Sequence, residues 1–289
     1  MAEGVGHDKL ERSQREVTKM GEAIRRVMIT GAAGRIGQTL SRAFEGNYAT
    51  LRLFDLKPAE KSHPDTEVVI GDLMDFDALV IALQDIDCVI HLAAIPEEWP
   101  FEELVEPNIL GTYQLFEAAR RAGVRRIIYA SSIQAVGFHR QATGVSQSSR
   151  IRPSGFYGVT KAFGEALASL YADKYGLSVA CLRIASFEPQ PEDQRQLATW
   201  LSPQDCVKLF KACIDAAPFS FATVYGVSAN ARTVVKDAPP AEIDFRPSDD
   251  AERFLETVGF DPNLETAMSL FAGGGYCGEG FVGEFDRVK

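Results

Sequence analysis

The sequence predicts an α/β doubly wound chain, a parallel sheet covered by helices on both faces, with a small substrate lobe toward the C-terminus. Two observations carry this. Short runs rich in β-branched and aromatic residues alternate with amphipathic stretches of helical period, and parallel strands need such crossovers. The first run also passes straight into a glycine-rich turn that opens a helix.

Strands are predicted at 26–30 (RVMIT), 50–54, 67–70, 87–92, 126–131, 178–184 and 222–226, with helices near 35–45, 75–84, 108–122, 156–175 and 203–216. Pro107 lacks an N–H and disfavours helical backbone at Glu106. The segment from Phe101 is therefore expected to break there, and a new helix to start at Asn108. Residues 1–24 are polar and unpatterned, which reads as a mobile extension or one surface helix. The main core is expected over 25–185 and a small lobe, interleaved with the last strands, over 186–270. From 271 a tail containing Gly273–Gly275 carries no role that the residues alone assign.

With 46% apolar and 24% charged residues the chain is globular rather than disordered. Its net charge of −10 has the wrong sign for gripping phosphate backbones, so no nucleic-acid partner is expected. No apolar window is long enough to span a bilayer, which argues against a membrane partner. The first 25 residues lack the apolar stretch of a secretory signal, and the expected location is cytoplasmic. Five cysteines at wide spacings, with no C-x-x-C, suggest neither a disulfide framework nor a metal site.

The turn reads Thr30-Gly31-Ala32-Ala33-Gly34-Arg35-Ile36-Gly37. Gly31, Gly34 and Gly37 let the backbone turn sharply and approach a pyrophosphate, with Ala33, Arg35 and Ile36 at the helix start that faces the anion. Three glycines also describe a plain tight turn; the flanking strand and helix favour the dinucleotide. Asp55 ends the second strand, eighteen residues beyond Gly37, near the roughly 20-residue offset of a ribose-binding acid. A carboxylate there accepts hydrogen bonds from both ribose hydroxyls and repels a 2′-phosphate, so the expected cofactor is NAD. Arg35 would offset that repulsion, unless it is simply a solvated helix-start side chain. Asp72 and Leu73 close the third strand at the adenine edge, although Asp72 equally suits a helix N-cap. Leu92, Ala93 and Ala94 close the fourth strand with room for the cofactor, while His91 reads as a packed core histidine.

Tyr157 and Lys161 stand four residues apart on a helix and share a face. Carbonyl/alcohol redox chemistry wants such a pair. A phenol with a free pKa of about 10 must lose its proton to act as a base, and an adjacent ammonium favours the phenolate. Ser132, at the end of the preceding strand, suits a hydrogen bond to the substrate oxygen, and Asn108 suits a water that relays the proton.

Gly31, Gly34, Gly37, Asp55, Asp72, Asn108, Ser132, Tyr157 and Lys161 together resemble an extended short-chain dehydrogenase/reductase, over roughly Arg26 to Pro262. The resemblance implies a Rossmann-like dinucleotide fold and an Asn-Ser-Tyr-Lys catalytic set. Within that family the chain is most similar to uronate dehydrogenases and related sugar 1-dehydrogenases, on His91-Leu92-Ala93-Ala94, Phe101-Glu102, Arg183-Ile184-Ala185-Ser186 and Thr199-Trp200-Leu201-Ser202. It departs from uronate dehydrogenases at Ile133-Gln134, where they usually carry Asn-His after the catalytic serine. It departs again at Pro96, where they place a substrate-binding serine. The resemblance makes Ser132, Ile133, Gln134, Ser186 and Arg195 the candidate sugar contacts. Arg195 either forks onto a carboxylate or phosphate or pairs with Glu192 and Asp193.

The leading expectation is NAD-dependent oxidation of a cyclic sugar (a uronic acid, an aldose or an aldose phosphate) at C1, by a homo-oligomer. A nucleotide-sugar epimerase or dehydratase is the alternative enzyme, and a lobe of about ninety residues leaves it little room for a nucleotide diphosphate. A non-catalytic NAD-binding regulator would need the glycine turn but not the Tyr157/Lys161 pair.

Overall fold

The computed structural model describes residues 23–261, 263 and 266–288, so the extension expected at 1–24 lies almost wholly outside the described residues. Strands β1 (Arg26–Thr30), β2 (Thr50–Asp55), β3 (Thr66–Ile70), β4 (Cys88–His91), β5 (Arg126–Ser132), β6 (Ser178–Ile184) and β9 (Phe221–Gly226) form one sheet. Its order is β3-β2-β1-β4-β5-β6-β9, and every pairing is parallel. A second, two-stranded parallel pair joins β7 (Ser186–Phe187) to β8 (Trp200–Leu201).

Period-two alternation decides which face each strand residue serves. Val27, Ile29 and Ile128 pack with Leu40 and Phe44 of helix α1 (Arg35–Phe44). Met28, Ile127 and Tyr129 point the other way. They pack with Leu79 of α2 (Phe76–Ala82), Leu115 and Phe116 of α4 (Gly111–Ala122), and Ala168 and Tyr171 of α5 (Phe156–Tyr175). The short helix α3 (Phe101–Leu104) precedes α4, and α6 (Gln196–Thr199) lies between β7 and β8. Helix α7 (Pro203–Asp215) joins α1 on the first face through Leu209, Phe210 and Ile214.

Pro107 does not break the chain's helical path, contrary to the sequence expectation. Residues Val105–Leu110 form a π-helical turn that links α3 to α4, and the Gly111 N–H reaches back to the Glu106 carbonyl. The wider i to i+5 turn accommodates a residue that cannot donate, and such turns often present a functional side chain. Here Asn108 lies in that turn, not at the start of a new helix.

Candidate active site

Chain order reverses between β1 and β4, which opens a crevice at the carboxyl edge of the sheet. Gly31 has a φ of 71°, and a Cβ on it would stand 2.6 Å from the Ala93 nitrogen. A Cβ on Gly37 would stand 2.3 Å from the Gly31 carbonyl oxygen. Only glycine lets the turn lie against β4 and α1 sit close upon it. No side chain caps α1 at Gly34, so its first N–H groups, in the turn that includes Arg35 and Ile36, remain for an anion.

Asp55 accepts the Ala33 N–H at 3.0 Å and the Lys57 N–H at 3.1 Å, which ties the ribose-binding candidate to the turn. Arg35 is an exposed helix-start side chain, but it is already paired rather than poised for a 2′-phosphate. It donates to the Phe187 carbonyl at 2.8 Å and pairs with Glu188, so an acid already neutralises it. Asp72 accepts the Met74 N–H at 2.9 Å and is exposed; the N-cap of α2 is Asp75, not Asp72. Leu73 is buried against Gly111, and Leu92, Ala93 and Ala94 line the half-buried end of β4. The uncapped helix, the cleared turn and the acid beside it fit NAD.

His91 is buried, with Nδ1 2.8 Å from the Thr30 hydroxyl and Nε2 3.4 Å from the Thr112 hydroxyl. Burial, reinforced by the charge of Lys161, pushes its pKa down to about 3. It is a neutral core histidine, as its apolar strand suggested.

Ser132 ends β5, Tyr157 is the second residue of α5, and Lys161 follows one turn later; all three are buried. Burial pushes the Tyr157 phenol well above the ordinary range, and a hydrogen bond with Ser132 pulls the other way. Lys161 Nζ donates to the Ala130 carbonyl at 2.9 Å and stands 5.5 Å from the Tyr157 ring centroid. Burial pushes its pKa down to about 8. Asn108 accepts the Ile95 N–H at 2.8 Å and donates to the Ile95 carbonyl at 3.0 Å and the Thr160 hydroxyl at 3.1 Å. Both its amide protons are therefore engaged, and what remains for a water is acceptor capacity.

Arg195 is only 8% exposed, donates to the Ala272 carbonyl at 3.0 Å and to the Ser186 hydroxyl at 3.1 Å, and has no carboxylate within ion-pair distance among the described residues. The pairing with Glu192 and Asp193 does not form. Asp193 instead accepts the Gln196 N–H at 2.9 Å. Ser186 also meets the Thr199 hydroxyl at 3.0 Å. Ile133 sits in an apolar cluster with Val136 and Val145, so it supplies shape rather than a polar contact. Gln134 is turned to the protein, donating to the Gly273 carbonyl at 3.1 Å and accepting the Ser154 hydroxyl at 2.6 Å.

Residues 27–203 match the NAD-dependent epimerase/dehydratase family. The chain belongs to that family. It is 37% identical over 238 residues to the uronate dehydrogenase of Pseudomonas putida, covering 82% of this chain and 89% of the relative. It is 36% identical over 250 residues to an NAD-dependent glucose-6-phosphate dehydrogenase of Haloferax volcanii, covering 79% of this chain and 95% of that one. Among solved structures, a mutant uronate dehydrogenase from Agrobacterium tumefaciens complexed with NAD superposes with a TM-score of 0.84 at 36% identity, over 89% of this chain and 98% of that one.

In this family member the segment after residue 271 is no loose tail. Its backbone runs between Arg195 and Gln134, whose donors it accepts at Ala272 and Gly273. Gly274, at a φ of 64°, leaves no room for a Cβ, which would fall 2.3 Å from Arg195 Cδ. Tyr276 lies near enough to Arg195 and Tyr157 to perturb both. Sequence reasoning missed Tyr276, and the only signal was the glycine run beside it.

Proposed function

We propose that this NAD-dependent sugar oxidoreductase oxidises an anionic cyclic sugar at C1 to its lactone, with Tyr157 as base. Arg195 carries the reading. A buried guanidinium with no carboxylate in ion-pair contact among the described residues, only the more distant charge of Asp193, is costly unless an anion arrives, and Ser186 adds a hydroxyl beside it. The substrates in the names of the relatives from Pseudomonas putida and Haloferax volcanii, uronate and glucose 6-phosphate, are both anionic sugars.

The glycine turn, the start of α1 and Asp55 would hold NAD, which would supply the acceptor for the C1 hydride. Tyr157 takes the proton of the C1 hydroxyl while Ser132 hydrogen-bonds the same oxygen. Lys161 makes the phenolate attainable against its burial, since an ammonium beside the ring stabilises negative charge in a water-poor site. The C1–H pair leaves as hydride, the hydroxyl proton leaves through Tyr157, and the C1–O bond becomes the lactone carbonyl. Arg195 and Ser186 hold the anionic group and so orient C1.

The test is kcat/KM for matched sugars, such as glucuronate, glucose and glucose 6-phosphate, in wild type and Arg195→Ala. Charge-assisted bonds worth about 1.5–3 kcal/mol predict a rise in KM for the acidic sugar of about ten- to a hundredfold, and a smaller change for the neutral one. A wild type that prefers the neutral sugar refutes the anionic assignment.

A further inference from the structure

Glu98 lies in the connection between β4 and α3, yet its carboxylate serves α5. It accepts the Phe156 N–H at 2.5 Å through Oε1 and the Tyr157 N–H at 3.0 Å through Oε2. Those are the first two residues of the helix, and the N-cap position belongs to Gly155, which has no side chain to cap with. A Cβ on Gly155 would fall 2.4 Å from Glu98 Oε2, so the glycine clears the space the carboxylate fills. A distant acid thus does the work of a local N-cap, with the sign that the helix dipole favours.

The same connection also braces the carbonyl of the tyrosine. The Tyr157 carbonyl accepts the Thr160 hydroxyl at 2.8 Å, and that hydroxyl accepts Asn108 Nδ2 at 3.1 Å. Asn108 in turn binds both the N–H and the carbonyl of Ile95, three residues before Glu98. Tyr157 is therefore held at its N–H by Glu98 and at its carbonyl through Thr160 and Asn108, with both holds anchored in residues 95–98.

We propose that Glu98 is a positioning residue for Tyr157, one that fixes the phenol against Ser132 by capping the turn that carries it. The inference rests on the reading of Tyr157 as the acid/base. Loss of the cap frees the first turn of α5, which contains Tyr157, while Lys161 in the next turn and the glycine cradle stay in place. Misplacement of a reacting group by an ångström lowers the rate by about a hundredfold at the upper end. NAD binding has no such dependence on Glu98.

The experiment compares Glu98→Ala, Glu98→Gln and Tyr157→Phe, alone and with Glu98→Ala, measuring kcat, KM for sugar and the Kd of NAD. Asp250→Ala is the control, because Asp250 likewise accepts two backbone N–H groups, of Ala231 and Glu252, and neither belongs to the site. Glu98→Ala should lower kcat about ten- to a hundredfold with the Kd of NAD changed less than about twofold. Glu98→Gln, whose amide oxygen still accepts one N–H, should recover part of that loss. In the Tyr157→Phe background Glu98→Ala should change the residual rate little, and Asp250→Ala should lower stability but not kcat. Unchanged kcat in Glu98→Ala, a parallel loss of NAD affinity, or an equal loss in the control overturns the proposal. Full turnover by Tyr157→Phe instead overturns the acid/base reading beneath it, a separate and distinguishable result.

Discussion

Replacing Lys161 with methionine should make the protein more stable at neutral pH while removing its turnover. Lys161 is fully buried, and its pKa falls from the ordinary 10.5 to about 8. Between those values the unfolded chain binds more protons than the folded one, so this group's contribution to stability rises with pH across that window. Below about pH 8 the full penalty for burying the ammonium is present, and the gap corresponds to about 3 kcal/mol. Methionine avoids that cost but forfeits the bond from Nζ to the Ala130 carbonyl, about 1 kcal/mol. The net gain at pH 7 is about 2 kcal/mol, or about 4 °C in Tm for a chain of this size. Urea unfolding of both proteins at pH 7 and pH 10.5 checks it. The advantage should be present at pH 7 and gone or reversed at pH 10.5. A variant that is less stable at pH 7, or a difference that does not move with pH, would refute the account of a strained, functionally retained ammonium.

Two further outcomes follow from the site. Asp55→Ala removes the anchor of Ala33 and the acceptor proposed for the ribose hydroxyls, so kcat/KM for NAD should fall about tenfold and the preference for NAD over NADP should shrink; an unchanged preference in paired assays counts against Asp55. Gly274→Ala forces a Cβ onto Arg195 at a backbone φ of 64°, so KM for the acidic sugar should rise at least about tenfold with the Kd of NAD unaffected, measured by steady-state kinetics and titration.

The local geometry of the glycine turn and its neighbouring acid was visible in one dimension. The turn from Gly31 to Gly37 follows its strand within a few residues, and Asp55 ends the next strand, so local spacing alone specified the cradle. Tyr157 and Lys161 share a helical turn and could be read as a pair for the same reason. Pro107 misled because the rule against proline in helices assumes an i to i+4 ladder, and the π-helical turn at Val105–Leu110 escapes it.

What the sequence by itself determined is therefore the doubly wound class, the strand order of chemistry along the chain and the residues whose partners lie within a turn or a βα unit. Tertiary structure alone decided that Arg195 is buried with no carboxylate in ion-pair contact among the described residues, that Gln134 bonds to the Gly273 carbonyl of the C-terminal segment, and that Arg35 pairs with Glu188. It also brought Glu98 to Tyr157 and Tyr276 to Arg195. The physical reason is range: backbone periodicity and turn chemistry act over a few residues, whereas desolvation and ion pairing depend on which distant segments close over a side chain.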